Sequence, residues 1–147
     1  MFIKPSLTTR IAVGKSIGFF IGLTAFIFIP YFLPEHSATL KWGVFLWYIV
    51  FGAVIGVFGV YTKIPVVNIV IPWWIRGAYI GAWLNFTISL VAYDALEQLM
   101  ISVFGENGLI SSPFWVVLEG VIFGTIIDFF ATRFGGEGAN LLKEDQM

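Results

Sequence analysis

Four long apolar stretches dominate the chain, and short, more polar segments separate them. The stretches cover residues 11–33, 43–61, 73–93 and 113–130. Each is close to the length of about 20 residues that an α-helix needs to cross the hydrocarbon core of a bilayer. The pattern predicts an all-α, polytopic membrane protein with four transmembrane helices in a single domain, residues 1–133. The glycine-rich and then polar remainder, 134–147, is predicted to be a mobile cytoplasmic tail.

Composition supports a lipid environment. Hydrophobic residues make up 59% of the 147 positions and charged residues 12%, whereas soluble domains contain about 25% charged residues. Too few polar side chains are present to cover an apolar core in water, so membrane lipid is the expected partner. A net charge of −1 gives no basic surface for nucleic acid. The absence of cysteine excludes disulfides and thiolate metal sites.

Basic residues are distributed unevenly between the two ends of the predicted helices. Seven of the eight lie on the side that carries both termini and the middle connection, and only Lys41 lies on the other side. Lys and Arg are enriched in the cytoplasmic segments of membrane proteins. We therefore expect both termini to be cytoplasmic, in a prokaryotic inner or plasma membrane.

The connections between the stretches carry signals of their own. Pro65 and Pro72 in the middle connection are expected to prevent a continuous helix. Arg76 and the two tryptophans that follow Pro72 are interpreted as headgroup-level anchors. Before the last stretch, residues 94–104 are predicted to form a short amphipathic helix on the membrane surface, ended by Gly105.

Glycine recurs at every fourth position in all four stretches. This spacing places the glycines on one helix face, where they allow two backbones to approach closely in lipid. The faces are expected to pack the bundle together. Alternatively, one face is left open for a homo-oligomer or a larger membrane complex. The glycines are Gly14, Gly18, Gly22, Gly52, Gly56, Gly77, Gly81, Gly120 and Gly124.

An internal duplication is suggested by similar segments. The segment around Gly18 aligns with that around Gly81, and the segment around Gly52 aligns with that around Gly120. This predicts two tandem two-helix hairpins in the same orientation. The alternative is chance, since glycine and aromatic residues are abundant in the chain.

Two carboxyl groups, Glu119 and Asp128, interrupt the last apolar stretch. They lie about two and a half helical turns apart and so face opposite sides of a helix, which excludes a paired acid. Asp128 lies near the predicted cytoplasmic end, where Lys15, Arg76 or Arg133 can reach it. Its expected role is a structural ion pair.

Glu119 has no cation at its predicted depth. An ionised carboxylate in the hydrocarbon core costs about 3 kcal/mol or more, so Glu119 is expected either to be neutral or to face water. Asn85, Thr87 and Thr24 are its predicted hydrogen-bond partners. Such a carboxyl either locks helices together or binds and releases a proton or cation in a cavity.

Catalytic signatures are missing from the sequence. His36 is the only histidine, and Glu35 beside it does not complete a metal site. Neither H-E-x-x-H nor G-x-S-x-G occurs. We therefore expect no enzyme activity, no cofactor and no metal.

Two function classes remain open. The first is a small transporter or channel for a small solute or ion, with Glu119 as its intramembrane proton or cation site. The second is a non-catalytic assembly or accessory subunit that associates through its glycine faces.

Overall fold

The computed structural model describes residues 4–35, 37–64 and 66–144, with the side chain of Glu144 excepted. The predictions made for His36, Pro65 and the end of the tail, 145–147, therefore fall outside the described residues. Over the described part the chain is mostly helical. Its elements are α1 (Leu7–Phe32), α2 (Ser37–Phe58), β1 (Lys63–Ile64), β2 (Ile69–Val70), α3 (Trp73–Val91), α4 (Tyr93–Phe104), α5 (Trp115–Gly135) and α6 (Leu141–Glu144).

The long helices suit a membrane. Among the described residues, α1, α2 and α5 are each long and apolar enough to cross one. The helices α3 and α4 meet the same criterion only as a pair, and the chain bends by 100° between them. By length and composition, the structure thus has three candidate spans, or four if the bent pair counts as one.

Helix bounds depart from the predicted ones near charged residues. Ser6 caps α1, its Oγ accepting a hydrogen bond from the Thr9 N–H at 3.0 Å, so α1 begins at Leu7 and contains Arg10. At the other end of the chain, α5 continues past Arg133. The predicted spans end at charged residues because these lower the hydropathy of a segment. A helix can continue past a charged residue whose side chain is paired or reaches water.

Two helical hairpins form the bundle. Helix α1 packs mainly against α2, and α3 packs mainly against α5; contacts of α1 with α5 join the two hairpins. The apolar core lies where they meet and consists of Tyr48, Phe51, Ile55 and Ile127. Helix α5, which belongs to the second hairpin, therefore also contacts the first.

Glycine lies at the closest approaches within both hairpins. At each of the nine glycines named above, an added Cβ would lie less than 3.0 Å from a backbone oxygen of a neighbouring helix. Gly14 meets Gly52 in the first hairpin, and Gly77 meets Gly124 in the second. All nine are buried within this single chain.

The two hairpins differ in packing register. The aligned segments would place Gly120 opposite Gly77, as Gly52 lies opposite Gly14. Gly77 instead meets Gly124, one helical turn further along α5. The internal duplication stays a prediction, and the two hairpins do not repeat each other's glycine contacts.

The amphipathic helix before the last span is confirmed to within one residue. It is α4, and it ends at Gly105, whose φ of 85° favours glycine. Its neighbour α3 contacts it at the bend, and α1 contacts it from the first hairpin. Helix α4 thereby covers one end of the bundle.

The segment after α5 folds back onto the bundle as far as Glu144. Gly136 and Gly138 adopt positive φ values of 72° and 99°, which turn the chain sharply. The Gly138 N–H then donates to the Gly59 carbonyl at 3.0 Å, and Leu141 is buried. The glycines thus form a defined turn, and the mobility predicted for the tail from 134 stays a prediction.

Candidate functional site

Two polar clusters lie inside the bundle, one toward each end. We name the first, at the end where α1 begins and α5 ends, the arginine–aspartate cluster. We name the second, toward the opposite end, the Glu119 cluster. The arginine–aspartate cluster contains Arg10, Arg76, Asp128, Thr132 and Glu137. The Glu119 cluster contains Trp47, Tyr48, Asn85 and Glu119.

Asp128 accepts hydrogen bonds from two arginines. Arg10 Nη2 lies 2.5 Å from its Oδ1, and Arg76 Nε lies 2.8 Å from its Oδ2. The side chains of Arg10 and Asp128 are 0% exposed, and that of Arg76 is 3% exposed. One carboxylate thus bridges two guanidinium groups that water does not reach, and it joins α1, α3 and α5.

Further contacts satisfy most of the remaining donors. Arg10 donates to the Gly56 carbonyl and to Thr132 Oγ1, both at 3.0 Å, and also to the Gly136 carbonyl. Arg76 Nη2 lies 3.2 Å from Oε2 of Glu137, a side chain that is 41% exposed. Among the described residues, Arg76 Nη1 is buried without a hydrogen-bond partner. Two carboxylates therefore balance the two guanidinium charges.

The predicted partners of Asp128 are only partly correct. Arg76 pairs with it, but Lys15 and Arg133 are exposed and form no ion pair with it among the described residues. Arg10 takes their place, because α1 begins early enough to bring its side chain inside the bundle. Arg76 is also not a headgroup-level anchor, since it is buried.

Glu119 is linked to Asn85 through a tyrosine. The Tyr48 hydroxyl donates to Glu119 Oε1 at 2.8 Å, and Asn85 Nδ2 approaches the same hydroxyl at 3.5 Å. Asn85 also donates to the Val116 carbonyl at 2.9 Å and accepts from Trp47 Nε1 at 3.1 Å. Asn85 is fully buried, whereas Glu119 is partly buried.

The two predicted threonine partners do not contact Glu119. Each donates its hydroxyl to a carbonyl of its own helix, Thr24 to Phe20 and Thr87 to Trp83, both at 2.9 Å. Both threonines are exposed. A helical threonine readily satisfies its hydroxyl in this way, which leaves it little need for a partner on another helix.

A cavity of about 950 Å³ reaches the Glu119 cluster, and all four residues of that cluster line it. The rest of its wall is mainly apolar and comes from α1, α2, α3, α4 and the start of α5. The exposed residues Glu35 and Asp94 line it at the end of the bundle opposite the arginine–aspartate cluster. The large cavity therefore extends from Glu119 toward that end.

A second, smaller cavity of about 470 Å³ lies between α1 and α5. Thr24, Tyr48, Glu119 and Phe123 border it. Thr24 is thus near Glu119 without bonding to it. Glu119 and Tyr48 border both cavities.

The glycine spacing contains a sequence signal for several residues of both clusters, including Arg10 and Tyr48, which the sequence analysis missed. Arg10 precedes Gly14 by four residues, Tyr48 precedes Gly52 by four, and Asp128 follows Gly124 by four. Four-residue spacing keeps side chains on one helix face, so each polar residue extends a glycine face into the bundle. Asn85 extends the glycine face of α3 in the same way. Trp47 follows Gly43 by four residues, but Gly43 has no close neighbour on another helix, so the contact of Trp47 with Asn85 depends on tertiary packing.

Comparison of the chain with protein-family models, with curated proteins and with solved structures finds no match. The geometry of the two clusters and of the cavities is therefore the basis for the proposals that follow.

Proposed function

We propose that the chain is a small membrane transporter or channel in which Glu119 is the proton or cation site. The observation that carries this proposal is that Glu119, within a helix long and apolar enough to span a membrane, borders a cavity of about 950 Å³. A carboxyl that only locked helices together would be enclosed by protein.

The composition of the cavity supports small-molecule binding. Ligand sites are typically concave and mostly apolar, with a few convergent polar groups. The cavity has this character, and the Glu119 cluster supplies the polar groups. Tyr48 holds one carboxyl oxygen of Glu119 in place, which keeps the side chain oriented for a ligand or proton.

The other end of the bundle contains buried charge pairs. The arginine–aspartate cluster joins α1, α3 and α5 there through buried hydrogen bonds. With both termini on the cytoplasmic side, as the basic residues indicate, the cavity would be accessible from outside and sealed toward the cytoplasm. This arrangement suits one state of an alternating-access cycle.

The glycine contacts favour transport over assembly. Close packing through G-x-x-x-G faces explains how the hairpins hold together in lipid. All nine glycines are buried within the one chain, so the glycine faces are used internally. Assembly through an open glycine face has less support.

Proton-linked flux tests the role of Glu119. Purified protein is reconstituted in liposomes that contain the dye pyranine, and a potassium diffusion potential is imposed with valinomycin. Wild-type protein is expected to carry a proton flux above that of protein-free liposomes, and Glu119→Gln to reduce it about tenfold or more, because Gln keeps the shape but does not titrate. Glu106→Gln, an exposed residue at the same end of the bundle, is the matched control. Equal flux in wild type and Glu119→Gln would contradict the proposal.

A further inference from the structure

We infer that the large cavity takes organic cations with an aromatic or aliphatic body. This inference rests on the proposed function, because it assigns a ligand class to the cavity that Glu119 borders. Three properties of the wall carry it, namely its charge, its aromatic surface and its shortage of oxygen ligands.

Apart from Tyr48, the ionisable side chains among the described lining residues are all carboxylic acids. Glu35, Asp94 and Glu119 line the cavity, and no Lys or Arg is found among the described lining residues. A wall of one sign raises the local concentration of ions of the opposite sign and disfavours ions of its own sign. The wall therefore selects cations over anions.

The apolar surface of the wall matches an organic ligand body. Phe28 and Phe32 from α1 line the cavity together with Trp47 and Tyr48 from α2. Aromatic rings attract organic cations through their faces, and the attraction grows when water is excluded. Burial of an apolar ligand body against the same side chains adds hydrophobic stabilisation.

The wall is a poor site for a bare metal ion. Hard cations such as Ca²⁺ require six to eight oxygen ligands. Among the described residues, no group of three or more His, Cys, Asp or Glu side chains is placed to hold a metal. The three acidic residues of the cavity are thus spread along it, as fits a ligand with a single diffuse charge.

Glu119 has one carboxyl oxygen left for such a ligand. Among the described contacts, Tyr48 donates to Oε1, and Oε2 accepts no hydrogen bond. A cationic group near Oε2 would place its apolar body against Trp47 and Tyr48. Protonation of Glu119 would weaken this contact, because it removes the charge of the carboxylate.

Equilibrium binding tests the preference for cations. Radiolabelled tetraphenylphosphonium is bound to the purified chain in a nonionic detergent, with protein-free micelles as background. Unlabelled benzyltrimethylammonium is expected to displace it, whereas benzylsulfonate, of similar size and opposite charge, should require at least about tenfold higher concentration. Glu119→Gln should weaken binding about tenfold or more, since it removes the charge-assisted contact. Glu106→Gln should bind like the wild type.

Two outcomes would overturn the inference. One is equal competition by the cation and the sulfonate, which would show a cavity indifferent to charge. The other is tetraphenylphosphonium binding that Glu119→Gln leaves unchanged. If Glu119→Gln fails to fold, competition on the wild-type protein decides, and Glu119→Asp tests the position of the carboxylate.

The binding assay separates this inference from the proposed function. It is an equilibrium measurement and requires no flux. Cation-selective binding without proton flux would contradict the transport proposal alone. Glu119-dependent proton flux without cation-selective binding would contradict the ligand class alone.

Discussion

Asp128 holds two guanidinium groups where neither can be solvated. Both arginine side chains are at most 3% exposed, and Arg76 already has one buried donor without a partner among the described residues. Removing one member of a buried ion pair leaves an uncompensated charge, which destabilises a protein by about 3–5 kcal/mol. The Asp128 carboxylate is therefore expected to contribute more to the free energy of unfolding than Glu119 or Glu137.

Replacement of Asp128 should be strongly destabilising. Asp128→Asn keeps the side-chain shape but leaves the Arg10 and Arg76 charges unbalanced, so we expect a loss of about 3–5 kcal/mol. Glu137→Gln is the matched control, because Glu137 is 41% exposed and exposed ion pairs contribute about 0–1 kcal/mol. Thermal unfolding in detergent, followed by circular dichroism, measures both. Equal stability of the two variants would show that Asp128 is not a central ion-pair residue.

Some of the residues of each cluster were identified from the sequence, and others were missed. Asp128, Arg76, Glu119 and Asn85 were identified because charged or amide side chains are conspicuous in apolar stretches. Arg10 was missed because it lies just before the apolar stretch that defines the first span. Trp47 and Tyr48 were missed since aromatic residues are abundant throughout the chain, so their presence carried little information.

At the level of elements, glycine determines how closely the helices approach. An added Cβ at Gly18 would lie less than 3.0 Å from the Tyr48 carbonyl oxygen, whereas one at Gly43 would meet nothing within 4 Å. These two glycines lie in neighbouring helices of the same hairpin. Substitutions at these two glycines therefore distinguish the effect of helix packing, present at Gly18, from the effect of helix propensity, present at both.

Alanine substitution should act oppositely at the two positions. Gly18→Ala forces α1 away from α2, and we expect a destabilisation of about 1–3 kcal/mol, typical of overpacking. Gly43→Ala should be neutral or stabilise the protein by up to about 1 kcal/mol, since alanine is the better helix former. Unfolding in mixed micelles with increasing dodecyl sulfate measures both. Similar destabilisation by the two substitutions would contradict the packing argument.

The sequence pattern predicted these helices but not the cavity between them. The predicted span 73–93 and the predicted surface helix 94–104 correspond to α3, which ends at Val91, and to α4, and the chain bends by 100° between them. A hydropathy window records the apolar content of a segment and contains no information on the angle between consecutive helices. The cavity depends on that angle, since α4 forms part of its wall; its presence was not predictable from composition.

At the scale of the whole molecule, both described ends of the chain lie at one end of the bundle. Arg10, near the start of α1, contacts Thr132 and Gly136, near the end of α5. Basic residues concentrate at that same end, which the positive-inside rule predicts to be the cytoplasmic one. Leu109, at the other end, is 94% exposed.

Single cysteines test this orientation, because the natural chain has none. In intact cells, a membrane-impermeant maleimide should label Leu109→Cys and leave Lys143→Cys unlabelled until the membrane is opened, since the two positions lie on opposite sides. Labelling is read by a mass shift of the protein. Reaction at Lys143→Cys in intact cells would reverse the proposed orientation.

The bond between Arg10 and Asp128 also bears on the order of events during synthesis. The two residues are separated by 118 positions, so the arginine leaves the ribosome long before its carboxylate exists. Until the last helix inserts, the guanidinium has to remain among lipid headgroups and water, reached by its long flexible side chain. The first helix is therefore expected to reach its final depth only after the last helix has inserted.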